Sequence, residues 1–289
     1  MSLFQYDFML RALVGALIIG LAAPSLGIYL VQRRLALIGD GIGHVALTGV
    51  GVGLLLHRSP VIAAVIATIV GAVAIELVRE RGRTSGDLAL ALLFYGGIAG
   101  GVMLVGLSDS SNAALTSYLF GALTTTSRGD LITIAVLGAA VLVAMLALRP
   151  ALFAICHDEE YARVSGLPVR GLNLLLAVTT AVTVTIAMRA VGLLLISALM
   201  VVPVAAAQQV TRGFRTTMAA AMALGLLSAG GGVWVAGVVD TAPGASVVVL
   251  AIASFAVVAS AGAITRAVRR RRTPPHARTT EPAEVVLQR

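Results

Sequence analysis

The chain contains no lysine, and all 21 of its basic residues are arginine. That absence excludes a Walker A loop, whose lysine reaches the nucleotide phosphates, so any ATP-driven activity needs a separate ATPase chain. Cysteine occurs once, as Cys156, which excludes an internal disulfide and a cysteine metal cluster. Aromatic residues make up 4% and charged residues 12% of the 289 positions, where soluble domains carry roughly 25% charge. The charge is also unevenly spread: residues 12–32, 131–148, 171–188, 216–239 and 241–265 carry none. A net charge of +8 could suit nucleic acid, but the arginines fall between apolar runs and in the tail, as cytoplasmic loops of membrane proteins require. Nucleic acid is therefore not an expected partner.

What remains is apolar: 58% of residues are hydrophobic and the mean hydropathy is +0.99. Charge-free runs of about 18 or more residues cross ~30 Å of hydrocarbon as helices. Spans are read at Met9–Val31, Leu35–Leu56, Val61–Val78, Leu88–Leu107, Leu131–Leu148, Gly171–Met188, Val191–Val210, Thr216–Val238 and Ala245–Ile264. The expected fold class is an all-α polytopic membrane protein of about nine transmembrane helices, within a range of about eight to ten. The first span reads as retained, because no basic region or convincing cleavage site accompanies it. With nine spans, the connections bearing Arg33 and Arg34, Arg79 to Arg83, Arg149 to Arg170, Arg212 and Arg215, and Arg266 to Arg272 share one side, which the positive-inside rule makes cytoplasmic. Residues 1–265 form one membrane domain, and 266–289 read as a basic, disordered tail. Between Ser108 and Asp130, the short apolar run Ala114–Leu123 suits a re-entrant or interfacial helix. The pairs Gly96/Gly100, Gly97/Gly101 and Gly49/Gly53 stand at the i, i+4 interval that lets helices approach closely in lipid.

Polar residues inside such runs are the informative ones. The segment LALIGDGIGHVAL, Leu35–Leu47, places Asp40 and His44 in an apolar span. A carboxylate at the bilayer centre costs on the order of 2.5–3.5 kcal/mol on insertion scales, so something should compensate it. At i and i+4 the two side chains share a helix face and can converge on one small cation. The alternative is that Asp40 pairs with Arg33 or Arg34 at the interface while His44 merely packs. If two copies placed this helix on a shared axis, two carboxylates and two imidazoles would suit Zn²⁺, or Mn²⁺ with added oxygens.

Two further segments stand out. In CHDEEYARVSGLP, Cys156–Pro168, Asp158 is a helix N-cap, Glu159 and Glu160 complement the positive helix end, Gly166 suits a left-handed C′ position, and Pro168 stops the helix. Such a short helix, with Ala162 and Val164 beside Arg163, either docks on a soluble partner or serves as a solvated connector. In Val191–Gln208, Pro203 removes a mid-span backbone hydrogen bond and predicts a kink beside Ser197, which either lines a moving gate or only sets packing. Glu76 with Arg79 and Glu80 with Arg83 read as interfacial ion pairs.

Taken together these pieces resemble the ABC-3 family of metal permeases. The resemblance runs from about Leu10 to Ala263 and is carried by RRLALIGDGIGHVALTGV (Arg33–Val50), SYLFGAL (Ser117–Leu123), DEEYARVSGL (Asp158–Leu167) and VGLLLISALMVVPVAAA (Val191–Ala207), in that order. It implies a permease, not itself an enzyme, that sits as a homodimer, or sometimes a related heterodimer, in a prokaryotic cell membrane. Its implied partners are lipid, a cytoplasmic ATP-binding subunit and an extracytoplasmic metal-binding protein. It implies no permanently bound cofactor, with a divalent metal, zinc or manganese, as the substrate. On that resemblance Asp40 and His44 are the metal residues, and Asp158, Glu159, Glu160, Ala162, Arg163 and Gly166 form the ATPase-coupling element. Family members often carry proline in the segment after the histidine, where this chain has Thr48, so a different local bend is expected. The rival readings are an importer of a larger chelate, such as a siderophore or cobalamin, and a secondary cation transporter or channel using Asp40 as a relay.

Overall fold

A computed structural model describes residues 7–80, 86–108, 116, 118–119, 121, 127–190 and 192–272. Its elements are helices, as lipid demands of backbone that must satisfy its own hydrogen bonds. They are α1 (Asp7–Gln32), α2 (Ile38–Leu55), α3 (Pro60–Glu80), α4 (Gly86–Leu107), α5 (Arg128–Ala147), α6 (Arg149–His157), α7 (Glu159–Val164), α8 (Val169–Ala190), α9 (Leu193–Gln208), α10 (Phe214–Val239) and α11 (Pro243–Arg272). Among the described residues, eight helices (α1 to α5, α8, α10 and α11) are long and apolar enough to cross a membrane. The remaining expected span, Val191–Val210, forms α9, which has only 16 residues, about 24 Å of helix. It can be short because it is enclosed by α1, α2, α8, α10 and α11, with Ile196, Leu199, Met200, Val204, Ala206 and Ala207 fully buried.

The bundle has an inner and an outer layer. Buried residues make up 72% of the apolar windows of α1 and α8 but 17% of those of α4 and α11. Lipid is as apolar as leucine, so the inner helices are held by close packing rather than by hydrophobic contrast. Gly20 of α1 and Gly225 of α10 meet backbone to backbone, where any side chain would collide.

Contacts gather the basic connections at one end. The Tyr29 hydroxyl donates to the Met145 carbonyl at 2.9 Å, Arg33 reaches Glu159 at 2.8 Å, and Arg170 reaches Glu80 at 3.1 Å. The Phe214 ring lies 5.4 Å from Tyr29 and 4.9 Å from Phe153. The C-terminal ends of α1, α3 and α5, the N-terminal ends of α8 and α10, and both short helices therefore share an end. Four of the five arginine-bearing connections assigned to the cytoplasm converge there.

Glu76 and Arg79 pair at 2.6 Å as expected, but Glu80 turns to Arg170 at the start of α8, and Arg83 lies outside the described residues. Of the segment 114–123, Tyr118 and Leu119 pack against the cluster of Ala46, Leu47, Val50, Met188 and Leu193. The rest of it, apart from Thr116 and Gly121, lies outside the described residues, as does the tail 273–289. α11 runs on to Arg272, beyond the boundary read at Ile264.

Candidate functional site

Helix α2 begins at Ile38, so Asp40 stands in its first turn, where a carboxylate complements the positive end of the helix dipole. His44 follows one turn later on the same face. Its side chain is 5% exposed, and its ring meets the Phe94 ring edge-on at 4.3 Å. The buried Nδ1 of His44 has no hydrogen-bond partner among the described residues. Asp40 is half-buried and helps line a cleft of about 310 Å³ with Leu37, Leu90, Ala91, Phe94 and Tyr95. It has no ion-pair partner among the described residues. Of the two alternative partners considered from the sequence, Arg33 is engaged by Glu159 and Asn173 instead, and Arg34 forms no ion pair with Asp40.

The cleft exists because α2 and α4 pack almost backbone to backbone just beside it. A Cβ on Gly97 would lie 2.7 Å from the His44 carbonyl carbon and the Val45 nitrogen, and one on Gly101 would lie 2.7 Å from Leu47 Cγ. The Thr48 hydroxyl donates to the Gly97 carbonyl at 2.7 Å, stitching the two helices one turn beyond the histidine. α2 runs uninterrupted through Thr48 to Leu55, so this position serves as an interhelical clasp.

On α9, Ser197 is 7% exposed and its hydroxyl has no partner among the described residues. It faces Gly39, the residue before Asp40, where an added Cβ would sit 2.9 Å from Ser197 Oγ. Pro203 lies within α9, which continues to Gln208. The ring removes one backbone donor, leaving the carbonyl four residues earlier without its usual amide. The structure thus brings Asp40 and His44 together, puts Ser197 at their flank, and places the coupling residues elsewhere. Among the described residues no group of three or more His, Cys, Asp or Glu side chains could hold a metal.

The second predicted element forms α7. The Asp158 side chain accepts from the Tyr161 amide at 2.9 Å, and Gly166 adopts φ +82°. Its neighbouring amides close a Schellman turn, Gly166 N–H to the Arg163 carbonyl and Leu167 N–H to the Ala162 carbonyl, each at 3.1 Å. Ala162 is fully buried and anchors the helix, while Glu160, Tyr161, Arg163 and Val164 are exposed. Beside it on α6, burial pushes the Cys156 thiol up to about 11.

Two features escaped sequence reasoning. Arg33, Asn173 and Glu159 form a linked set across three elements. Thr68 of α3 and Thr185 of α8 exchange a hydrogen bond at 2.9 Å in the buried interior. The available signals were slight: Asn173 is the one amide in the run 171–188, and Thr179, Thr180, Thr183 and Thr185 cluster on one helix.

Membrane-length helices, with a carboxylate and an imidazole that are unpaired among the described residues and a capped helix among the basic connections at one end, define a polytopic membrane protein. The chain belongs to the ABC 3 transport family, whose profile matches residues 5–262. It is 31% identical over 245 residues to the high-affinity zinc uptake system membrane protein ZnuB of Haemophilus influenzae, covering 85% of this chain and 94% of that protein. It is 30% identical to the manganese transport system membrane protein MntC of Halalkalibacterium halodurans, with 88% and 87% covered. It is 31% identical to the chelated iron transport system membrane protein YfeD of Yersinia pestis, with 88% and 85% covered. Among solved structures, it superimposes on a chain of PsaBC from Streptococcus pneumoniae in complex with Fab with a TM-score of 0.80 at 26% identity, covering 89% of this chain and 92% of that one.

Proposed function

We propose that this chain is the membrane-spanning permease subunit of an ABC importer that carries a divalent transition metal into the cytoplasm, with zinc favoured over manganese and iron. Two copies face one another so that Asp40 and His44 of each contribute to a transient site on the path. Two carboxylates and two imidazoles suit a tetrahedral zinc ion, while manganese would recruit further oxygens. An extracytoplasmic binding protein delivers the ion. A separate ATPase engages α7 and the basic end of the bundle, supplying the energy that a chain without a nucleotide-binding lysine cannot.

The observation that carries this reading is the pairing of a buried, partnerless His44 Nδ1 with an Asp40 that has no counter-ion among the described residues. Buried polar groups ordinarily find fixed partners, and where they do not, a passing cation is the natural complement. Such a site must attract the ion strongly enough to replace its water and weakly enough to release it. The named transport systems of the three relatives support a metal substrate. Their different ions leave the choice to the remaining ligands and the geometry of the pair.

The test is uptake into vesicles containing the permease, its ATPase and its binding protein, with zinc, manganese and iron compared. Asp40→Ala should lower uptake of the native ion at least about tenfold, the scale of losing one charged ligand or its outer support. Undiminished uptake in that variant would remove the proposed site.

A further inference from the structure

Arg33 is a charged residue with a side chain only 7% exposed. Its Nη1 donates to Asn173 Oδ1 at 2.6 Å and its Nη2 to Glu159 Oε2 at 2.8 Å, while Asn173 Nδ2 donates to Glu159 Oε1 at 3.4 Å. The three side chains close a ring that ties the end of α1 to the start of α7 and the first turns of α8. Burial pulls the Arg33 guanidinium below its ordinary range and neighbouring Arg79 adds to this, with Glu159 and Glu76 among the groups that oppose the shift. Removing one partner of such a buried pair leaves the other charge uncompensated. Among the described residues this is the sole ion pair joining α7 to the α1–α2 connection.

A short hydrogen-bonded turn also links Arg33 to Asp40. Arg34 adopts φ 59°, the Arg34 amide donates to the Val31 carbonyl at 3.1 Å, and the Leu35 amide donates to the Leu30 carbonyl at 2.8 Å. This Schellman turn accepts a non-glycine residue in the left-handed region. Ile38 N–H then bonds the Leu35 carbonyl at 3.0 Å and Gly41 N–H bonds the Leu37 carbonyl at 3.2 Å. Hydrogen-bonded backbone therefore runs without a slack loop from Arg33 to the first turn of α2, where Asp40 stands.

We propose that Arg33 is the positioning residue that transmits displacement of α7 to the Asp40 turn. When α7 moves, Glu159 draws Arg33, and the α1–α2 turn carries that movement into the start of α2. This inference rests on the proposed function, which makes α7 the part the ATPase moves and Asp40 a metal ligand. Arg33 itself does not touch the ion.

The test uses the complete transporter, with ATPase and binding protein, in proteoliposomes, and reads Zn²⁺ moved per ATP hydrolysed. Arg33→Gln and Glu159→Gln should each lower that ratio about tenfold, within the usual range of coupling between sites. Equilibrium Zn²⁺ binding to the Arg33→Gln permease should stay within about threefold of native, a change smaller than a lost ligand produces. The exchange Arg33→Glu with Glu159→Arg should recover about half of the native ratio or more, as a pair-specific interaction requires. An unchanged ratio in both single variants overturns the proposal. Loss of assembly in both, with no recovery in the exchange, also overturns it and marks a merely structural pair. Failure of the underlying reading is separately visible, because Asp40→Ala would then bind Zn²⁺ normally whatever the Arg33 variants do.

Discussion

Substituting Gly97 by alanine probes the α2–α4 contact that shapes the Asp40 cleft. The new Cβ would lie 2.7 Å from two backbone atoms of α2, the His44 carbonyl carbon and the Val45 nitrogen, and 3.0 Å from His44 Cβ. Backbone cannot swing aside, so relief to an ordinary contact requires the helices to part by roughly 0.7–1 Å or to tilt, and overpacking of this kind costs about 1–3 kcal/mol. Separation also strains the 2.7 Å bond from Thr48 to the Gly97 carbonyl. Gly96, the adjacent residue, is the control, because a Cβ there meets nothing within 4 Å. Alanine at Gly96 should be neutral or mildly stabilising, since it favours helix by about 1 kcal/mol over glycine. The propensity gain is common to both positions, so in thermal unfolding of the purified protein in detergent Gly97→Ala should melt about 3–10 °C below Gly96→Ala, from about 2–4 °C per kcal/mol. Equal midpoints for the two variants would refute the packing argument.

Three other outcomes follow from the geometry. Asp158→Ala removes the cap on the Tyr161 amide, which should destabilise α7 by about 1 kcal/mol and weaken ATPase binding in a pull-down while leaving Zn²⁺ binding unchanged. The Cys156 thiol, pushed up to about 11, should be almost wholly protonated at neutral pH. Its alkylation by a maleimide near pH 7.5 should be about two orders of magnitude slower than that of a free thiol, and faster as pH rises toward its shifted value; alkylation at the free-thiol rate would contradict the burial. Thr68→Val breaks the hydrogen bond to Thr185 across α3 and α8 and should cost about 0.6 kcal/mol, with the double variant Thr68→Val, Thr185→Val costing less than the sum of the singles in detergent unfolding.

Much of the architecture was legible because hydrocarbon thickness sets a length and charge marks where it ends. The caps of α7 were equally readable, since Asp158, Gly166 and Pro168 act within a few residues of themselves. The shared face of Asp40 and His44 likewise follows from helical periodicity alone. The layering was not legible: α1 and α11 have similar hydropathies, 2.1 and 2.5, yet one is interior and the other peripheral. Lipid and protein interior are alike to an apolar side chain, so polarity cannot tell them apart. Gly96 and Gly97 are chemically identical neighbours in sequence, and only the rotation of α4 decides which meets α2. The true partner of Arg33 lies 126 residues away, beyond the reach of any local pattern. Asp40, seven residues away, was the nearer candidate and the wrong one.

Whether Asp40 and His44 bind the transported ion is read most directly from Zn²⁺ binding to the purified, detergent-solubilised permease. Equilibrium binding combined with X-ray absorption should give about one ion for every two chains, held by nitrogen and oxygen ligands. Asp40→Ala and His44→Ala should each abolish that binding while the protein elutes as the native species. Native stoichiometry and affinity in both variants would contradict the account.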